Sequence, residues 1–226
     1  MRAAFLVLLF LVFAGVAAAQ VPPGLDELRG YQGLHGAAAR GDVAEIERRI
    51  AAGEDREAVD ARKRTPLHVA AFQKKADAAR ALLRLGADPN RLEADRYDII
   101  TIAAVANDVE MLKIAIDGGC NPRAMTSPYD GTALIAAAHL GHVEVVRMLI
   151  AAGAPLDHVN NLGWTAMIEA IVLGDGGRNH TAILAALVAA GANAAVRDRN
   201  GVLPVDLARS RGYAEMVNIL TAARPR

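Results

Sequence analysis

The sequence predicts an all-α fold, a solenoid of about six helix-turn-helix units, and three observations carry the prediction. One glycine-led segment recurs as GADPN at 86–90, GGCNP at 118–122, GAPLD at 153–157 and GANAA at 191–195. A second segment recurs as TPLHVAA at 65–71, DIITIAA at 98–104, TALIAAA at 132–138 and TAMIEAI at 165–171. Hydrophobic residues make up 53% of the chain but aromatic ones only 4%, which favours short packed helices over sheets.

The residues that open the second segment keep a nearly constant period. They stand 33, 34, 33 and 38 residues apart, at Thr65, Asp98, Thr132, Thr165 and Leu203. Self-similarity at such a period indicates stacked units, each of which buries its apolar face against its neighbours. We therefore divide the chain into a covering segment at 20–33 and a repeat domain at 34–226, with units at 34–64, 65–97, 98–131, 132–164, 165–202 and 203–226.

Each unit is predicted to hold two short helices whose ends follow from local residues. Thr65 can cap the first helix of its unit, and Pro66 suits the first turn. Alanine pairs such as Ala70 with Ala71 allow neighbouring first helices to approach closely. In the second helix the apolar residues of 143–150 recur at helical spacing, and Gly153 follows where a helix would end.

These segments resemble the ankyrin repeat family. The clearest matches are TPLHVAAFQKKADAARALLRLGADPN at 65–90 and TALIAAAHLGHVEVVRMLIAAGAPLDHVNNLG at 132–163, and the resemblance covers residues 34–220. It implies hairpin-like finger loops between units, and binding of a partner protein through finger tips and inner helices, without a cofactor or a catalytic role. We also expect a monomer.

The resemblance also suggests which residues contact the partner. The residue before each Thr position is expected at a finger tip, and Tyr97 and Trp164, the only tryptophan, stand there. Aromatic residues of this kind dominate binding hot spots. The alternative for Trp164 is that it folds back onto the neighbouring finger. On the inner helices His139 shares a groove-side register with Phe72, Val105 and Val172.

The fifth unit holds two departures from the pattern. Five extra residues, DGGRN at 175–179, lengthen the turn between its helices, and His180 then aligns with His142. Glu169 occupies a position that is otherwise apolar, and a carboxylate buried there needs a hydrogen-bond donor. Arg178 or the loop amides are the expected donors. Glu169 then either pins the insertion or forms with Arg178 a polar pocket that contacts a partner.

An alternative function from another class uses the same region. A small-molecule or anion binder, or a minor enzyme, would use Glu169, Arg178 and His180. No other chemistry is indicated, because neither Ser127 nor Ser210 lies in a G-x-S-x-G context and no His/Cys group has metal-ligand spacing. We therefore expect neither a metal nor a cofactor.

Residues 1–19 are predicted to be a cleaved secretory signal. Arg2 opens an apolar run that ends in small residues, with an A-x-A pattern before Gln20. A membrane anchor is the alternative, but the run is short for a span of about 20 residues. The mature chain is expected to be exported to a periplasm and to be free of the membrane. With 25 basic and 25 acidic residues it has no excess of positive charge for nucleic acid, and its lone Cys120 excludes an intramolecular disulfide.

Overall fold

The structure, a computed structural model, describes residues 20–223. Within this range the chain forms thirteen α-helices and no β-strand. The predicted secretory signal at 1–19 lies outside the described residues. No helix in the described part of the chain is long and apolar enough to cross a membrane.

Twelve of the helices form six antiparallel pairs that stack in chain order. The inner helices are α2 (Gly33–Arg40), α4 (Pro66–Phe72), α6 (Ile99–Val105), α8 (Ala133–His139), α10 (Ala166–Val172) and α12 (Pro204–Ser210). The outer helices are α3 (Val43–Ala51), α5 (Ala76–Arg84), α7 (Val109–Asp117), α9 (Val143–Ala151), α11 (Arg178–Ala189) and α13 (Ala214–Ala222). Each inner helix packs on the next inner helix, and each outer helix on the next outer one. The predicted all-α solenoid is confirmed.

The inner helices begin as the sequence predicts. The hydroxyls of Thr65, Thr132 and Thr165 accept hydrogen bonds from backbone N–H groups three residues later, at 3.4, 3.4 and 3.2 Å. In the third unit Asp98 takes this role, and its Oδ1 accepts from Thr101 N at 3.0 Å. Pro66 and Pro204 occupy the first helical positions, where a missing N–H costs nothing.

Small residues let these helices pack closely. Alanine pairs on four inner helices are at most 2% exposed, namely Ala37 and Ala38, Ala70 and Ala71, Ala103 and Ala104, and Ala137 and Ala138. At the other end of the unit, Gly153 follows α9 with φ of 84°, a left-handed conformation that glycine adopts without strain. Cys120 occupies the place of Ala87 and Ala154, and all three are 5% exposed.

A tight finger joins each outer helix to the next inner helix, and one backbone hydrogen bond closes it. In four fingers this bond spans four residues, as from Asp60 N to Arg64 O at 3.1 Å and from Asn160 N to Trp164 O at 3.0 Å. The third finger is one residue longer, because its bond runs from Thr126 N to Gly131 O at 2.9 Å. The fingers therefore project from the stack at a common register.

The N-terminal segment is attached to the first finger by a buried ionic network. Helix α1 (Leu25–Gly30) precedes α2 and packs on it. The fully buried guanidinium of Arg64 pairs with Glu27 of α1 and with Asp60, whose Oδ2 lies 2.6 Å from Arg64 Nε. Tyr31 donates to the same Asp60 oxygen at 2.6 Å. Burial alone would raise the pKa of Asp60, but the hydrogen bonds from Tyr31 and Arg64 hold it below its usual value.

Side-chain hydrogen bonds hold both ends of the five-residue insertion of the fifth unit. Tyr213 of the last unit donates from its hydroxyl to Gly174 O at 3.1 Å. The His180 ring lies between Asp175 Oδ1, 2.9 Å from Nδ1, and the His139 carbonyl, 3.0 Å from Nε2. His142 likewise contacts a carbonyl of the inner helix of the preceding unit, Ala104 O of α6 at 2.9 Å. The two histidines therefore have equivalent structural roles.

Candidate functional site: the finger and groove surface

One polar side chain organises the turn of each finger. Asp60, Glu93, Asn160 and Asp198 each accept, through one side-chain oxygen, the backbone N–H groups two and four residues later at 2.8–3.2 Å. Ser127 Oγ does the same in the longer third finger. Sequence reasoning missed this feature, although these five residues keep the repeat period and the same self-comparison could have found them.

Just before these turns the fingers carry a row of exposed apolar side chains. The residue in question stands immediately before the one whose backbone N–H closes the finger. It is apolar in four of the five fingers, and these side chains are 40–51% exposed: Val59, Leu92, Met125 and Val159. In the fifth finger Arg197 stands there, also exposed. Because the units stack in register, the four residues occupy equivalent positions in successive fingers, and we call them the apolar row.

The structure corrects the prediction for Tyr97. The position before each Thr lies at the base of the finger rather than at its tip, and Tyr97 is only 6% exposed. Its backbone N–H donates to the Glu93 side chain, and its carbonyl accepts from Glu93 N and lies 3.2 Å from Nε2 of His68 on α4. Burial raises the pKa of the Tyr97 phenol to about 12. Tyr97 therefore does not present an exposed ring at a finger tip.

Trp164 and His139 are placed where a partner can reach them. Trp164 has the same finger-base register as Tyr97 but is half-buried rather than buried. His139 ends α8 on the groove side, and about a third of its side chain is exposed, at 33%. Phe72, Val105 and Val172, which share its register, are half-buried too. The groove between fingers and inner helices is thus partly open at every one of these positions.

Glu169 is buried beside the groove with partners that the sequence did not suggest. Its side chain is 5% exposed, Oε1 accepts from Asn160 Nδ2 at 2.7 Å, and Oε2 lies 3.4 Å from His139 Nδ1. The prediction that Arg178 is the donor to Glu169 is wrong. Glu169 lies in the first turn of α10, at the finger end, whereas Arg178 is the exposed first residue of α11 beyond the opposite end of α10. Glu169 therefore does not pin the insertion.

The second candidate site, built on Glu169, Arg178 and His180, is not assembled by the structure. His180 is occupied by Asp175 and the His139 carbonyl, on the side of the stack away from the fingers. Among residues 20–223 no three His, Cys, Asp or Glu side chains are grouped so that they could hold a metal ion. Cys120 donates to Pro89 O at 3.2 Å, and burial raises the pKa of its thiol well above the usual value.

Comparisons with known proteins agree with this architecture. Models of the ankyrin repeat match residues 62–93 and, as three copies, residues 100–198. YahD of Escherichia coli (strain K12), a protein named for its ankyrin repeats, is 31% identical over 83% of this chain and 93% of its own. An ankyrin repeat domain from Acinetobacter baumannii AYE is 40% identical with a TM-score of 0.81, over 85% of this chain and 98% of that chain.

A more distant solved structure shares the fold alone. It is a complex of the Bdellovibrio bacteriovorus predatory endopeptidase Bd0816 with the immunity protein Bd3460, 20% identical with a TM-score of 0.71 over 86% of this chain and 99% of that one. Ankyrin repeats generally mediate protein–protein interactions, and proteins built from them are typically non-enzymatic scaffolds. With its relatives, its six stacked helix pairs and its finger loops, the chain belongs to the ankyrin repeat family.

Proposed function

We propose that this protein is a non-catalytic scaffold that binds a partner protein through its finger and groove surface. One observation carries the proposal, namely the apolar row of Val59, Leu92, Met125 and Val159. Single exposed apolar residues are ordinary, but a set of them at one register across four units indicates a contact surface. These side chains are already about half buried, so covering one of them completely contributes roughly 1 kcal/mol, about half of the value for a fully exposed side chain. Trp164 and His139 extend the same surface.

Affinity capture with matched variants tests this proposal. The immobilised protein is exposed to an extract of exported proteins, beside a Leu92→Ser/Val159→Ser double variant. Val109→Ser is the control, because Val109 is 39% exposed but lies on outer helix α7. We expect a protein that is retained by the parent and the control and lost by the double variant at equal melting temperature. Equal retention by all three, or no retained protein, would contradict the proposal.

We further propose that the protein acts after export, with residues 1–19 removed before Gln20. The support is the charged start, the short apolar run and the A-x-A pattern of the sequence. The intact mass of the protein recovered from the periplasmic fraction of expressing cells should correspond to a chain that starts at Gln20. A full-length chain confined to the cytoplasmic fraction would contradict export.

A further inference from the structure

The charge around Glu169 is not balanced within the groove. Its hydrogen-bond partner Asn160 is neutral, and no Lys or Arg of the described chain forms an ion pair with it. The buried Arg64, by contrast, is paired with two carboxylates. A carboxylate that is removed from water keeps its charge at a lower cost when a cation pairs with it. That charge attracts a cation, provided the cation can reach it.

His139 provides the access. Its Nδ1 lies 3.4 Å from Glu169 Oε2, and 33% of the side chain is exposed. A neutral ring that directs its Nδ1 hydrogen at the carboxylate, which can only accept, has an acceptor at Nε2. A donor that reaches Nε2 would then have the Glu169 carboxylate on the far side of the ring. This arrangement suits a positively charged donor and opposes an anion.

The surroundings fit a long basic side chain rather than a small inorganic cation. Val159 and Leu162, in the finger that carries Asn160, are 45% and 38% exposed. Lysine and arginine combine an apolar stem with a cationic head. The stem would lie on these exposed apolar residues, and the head would reach the imidazole backed by Glu169.

We propose that the His139–Glu169–Asn160 trio is the subsite for a lysine or arginine side chain of the partner, which deepens, and rests on, the proposed protein-binding function. Asn160 is the positioning residue. Its Oδ1 holds the finger turn while its Nδ2 holds Glu169, so the finger and the subsite are fixed together. The other acidic finger residues, Asp60, Glu93 and Asp198, have no such donor. The subsite therefore belongs to this finger.

A small-molecule titration followed on the histidine rings tests the subsite without the partner. The probe is n-butylguanidinium, and n-butanesulfonate is the anionic control of similar size. The His139 ring signals in nitrogen-correlated NMR spectra are assigned by their absence from His139→Asn. We expect a saturable shift of the His139 signals with the guanidinium probe and none with the sulfonate.

Two carboxylate variants make the test specific. Glu169→Gln keeps an acceptor for Asn160 but removes the charge, and we expect it to weaken probe binding by about tenfold, because the cation loses its attraction to the carboxylate. Glu144→Gln, on outer helix α9 with a 61% exposed side chain, should change it less than about twofold. An unshifted His139, an equal response to sulfonate, or unchanged binding by Glu169→Gln would overturn the subsite.

The two proposals can fail separately. If a protein is captured through the apolar row but n-butylguanidinium does not shift the His139 signals, the protein-binding function stands and the basic subsite is contradicted. Probe binding at His139 without any captured protein would remove the proposed scaffold role and leave a cation site on the groove.

Discussion

The outer-helix face and the finger-groove face of this solenoid are built from the same repeats but expose different kinds of side chain to solvent. On the outer face exposed charges are paired within and between helices, as in Arg84–Glu47 at 2.5 Å and Arg80–Glu110 at 2.8 Å. On the finger side the exposed residues at one register are apolar, and a buried carboxylate lies beside a half-open histidine. The repeat period fixes the core that both faces share. The residues that it leaves free make one face suited to solvent and the other to a partner.

The largest expected effect separates a buried ion pair at a finger from an exposed one on the outer face. Arg64→Ala leaves Asp60 and Glu27 without their cation, and we expect the free energy of unfolding to fall by roughly 3–5 kcal/mol. Arg80→Ala, on α5, removes exposed pairs and should cost under about 1 kcal/mol. Urea unfolding of the two variants measures both. Similar losses would mean that the N-terminal segment is not held by this network.

The period of the sequence was sufficient to predict the fold. Two helices per unit, the threonine caps and the glycine after the outer helix all follow from local chemistry, because each unit repeats one local solution. The position of His180 followed from aligning it with His142. The repeat period could not predict the buried network of Arg64 and Asp60. Arg64 pairs with Glu27, and Asp60 accepts from Tyr31, and both of these partners lie in the N-terminal segment outside the repeats.

The site was predicted less well, because the repeat alignment gives the position of a residue in its unit but not the direction in which its side chain points. The register of Tyr97 was identified, but whether a residue after a tight turn faces solvent depends on the finger backbone, which places this ring inside. Arg178 was paired with Glu169 because both depart from the pattern. Glu169 is only four residues beyond the cap at Thr165, so it lies at the finger end of α10, and the insertion follows the other end.

The second prediction concerns a buried acid at a finger base and its dependence on pH. Asp98 is fully buried with Oδ2 unpaired, and burial raises its pKa from 3.8 to about 6. Between these values the native state holds a proton that the unfolded chain has released, so the stability from this group is lost as pH rises through about 6. The shift corresponds to roughly 3 kcal/mol at neutral pH.

Asp98→Thr, which introduces the threonine cap used in three other units, should therefore stabilise the protein at pH 7.5 by up to about 3 kcal/mol and by much less at pH 4. His68, whose pKa burial lowers to about 4, changes stability in the opposite direction, but it is present in both proteins and cancels. Urea unfolding at the two pH values measures the difference in unfolding free energy between Asp98→Thr and the parent, and Glu144→Gln on the outer face is the control. A difference that does not change with pH would contradict a raised pKa for Asp98.

A smaller effect is expected at the finger that carries the subsite. Asn160→Asp keeps the oxygen that holds the turn but replaces the donor to Glu169 with a second carboxylate, so we expect a loss of about 2 kcal/mol in the free energy of unfolding. The reverse change in the next finger, Asp198→Asn, keeps its acceptor and should cost less than about 1 kcal/mol. Thermal unfolding compares the two. Equal costs would show that the amide of Asn160 contributes nothing beyond the turn.

The contrast between the two faces can be measured directly by methionine oxidation in the complex with the captured partner. Met125 lies in the apolar row and is 51% exposed, whereas Met148 is a half-buried residue of outer helix α9. With dilute peroxide and peptide mass spectrometry, each methionine is compared with itself in the free protein. We predict that the partner slows oxidation of Met125 and leaves Met148 unchanged. Protection of Met148 with Met125 still reactive would place the partner on the outer helices and contradict the account.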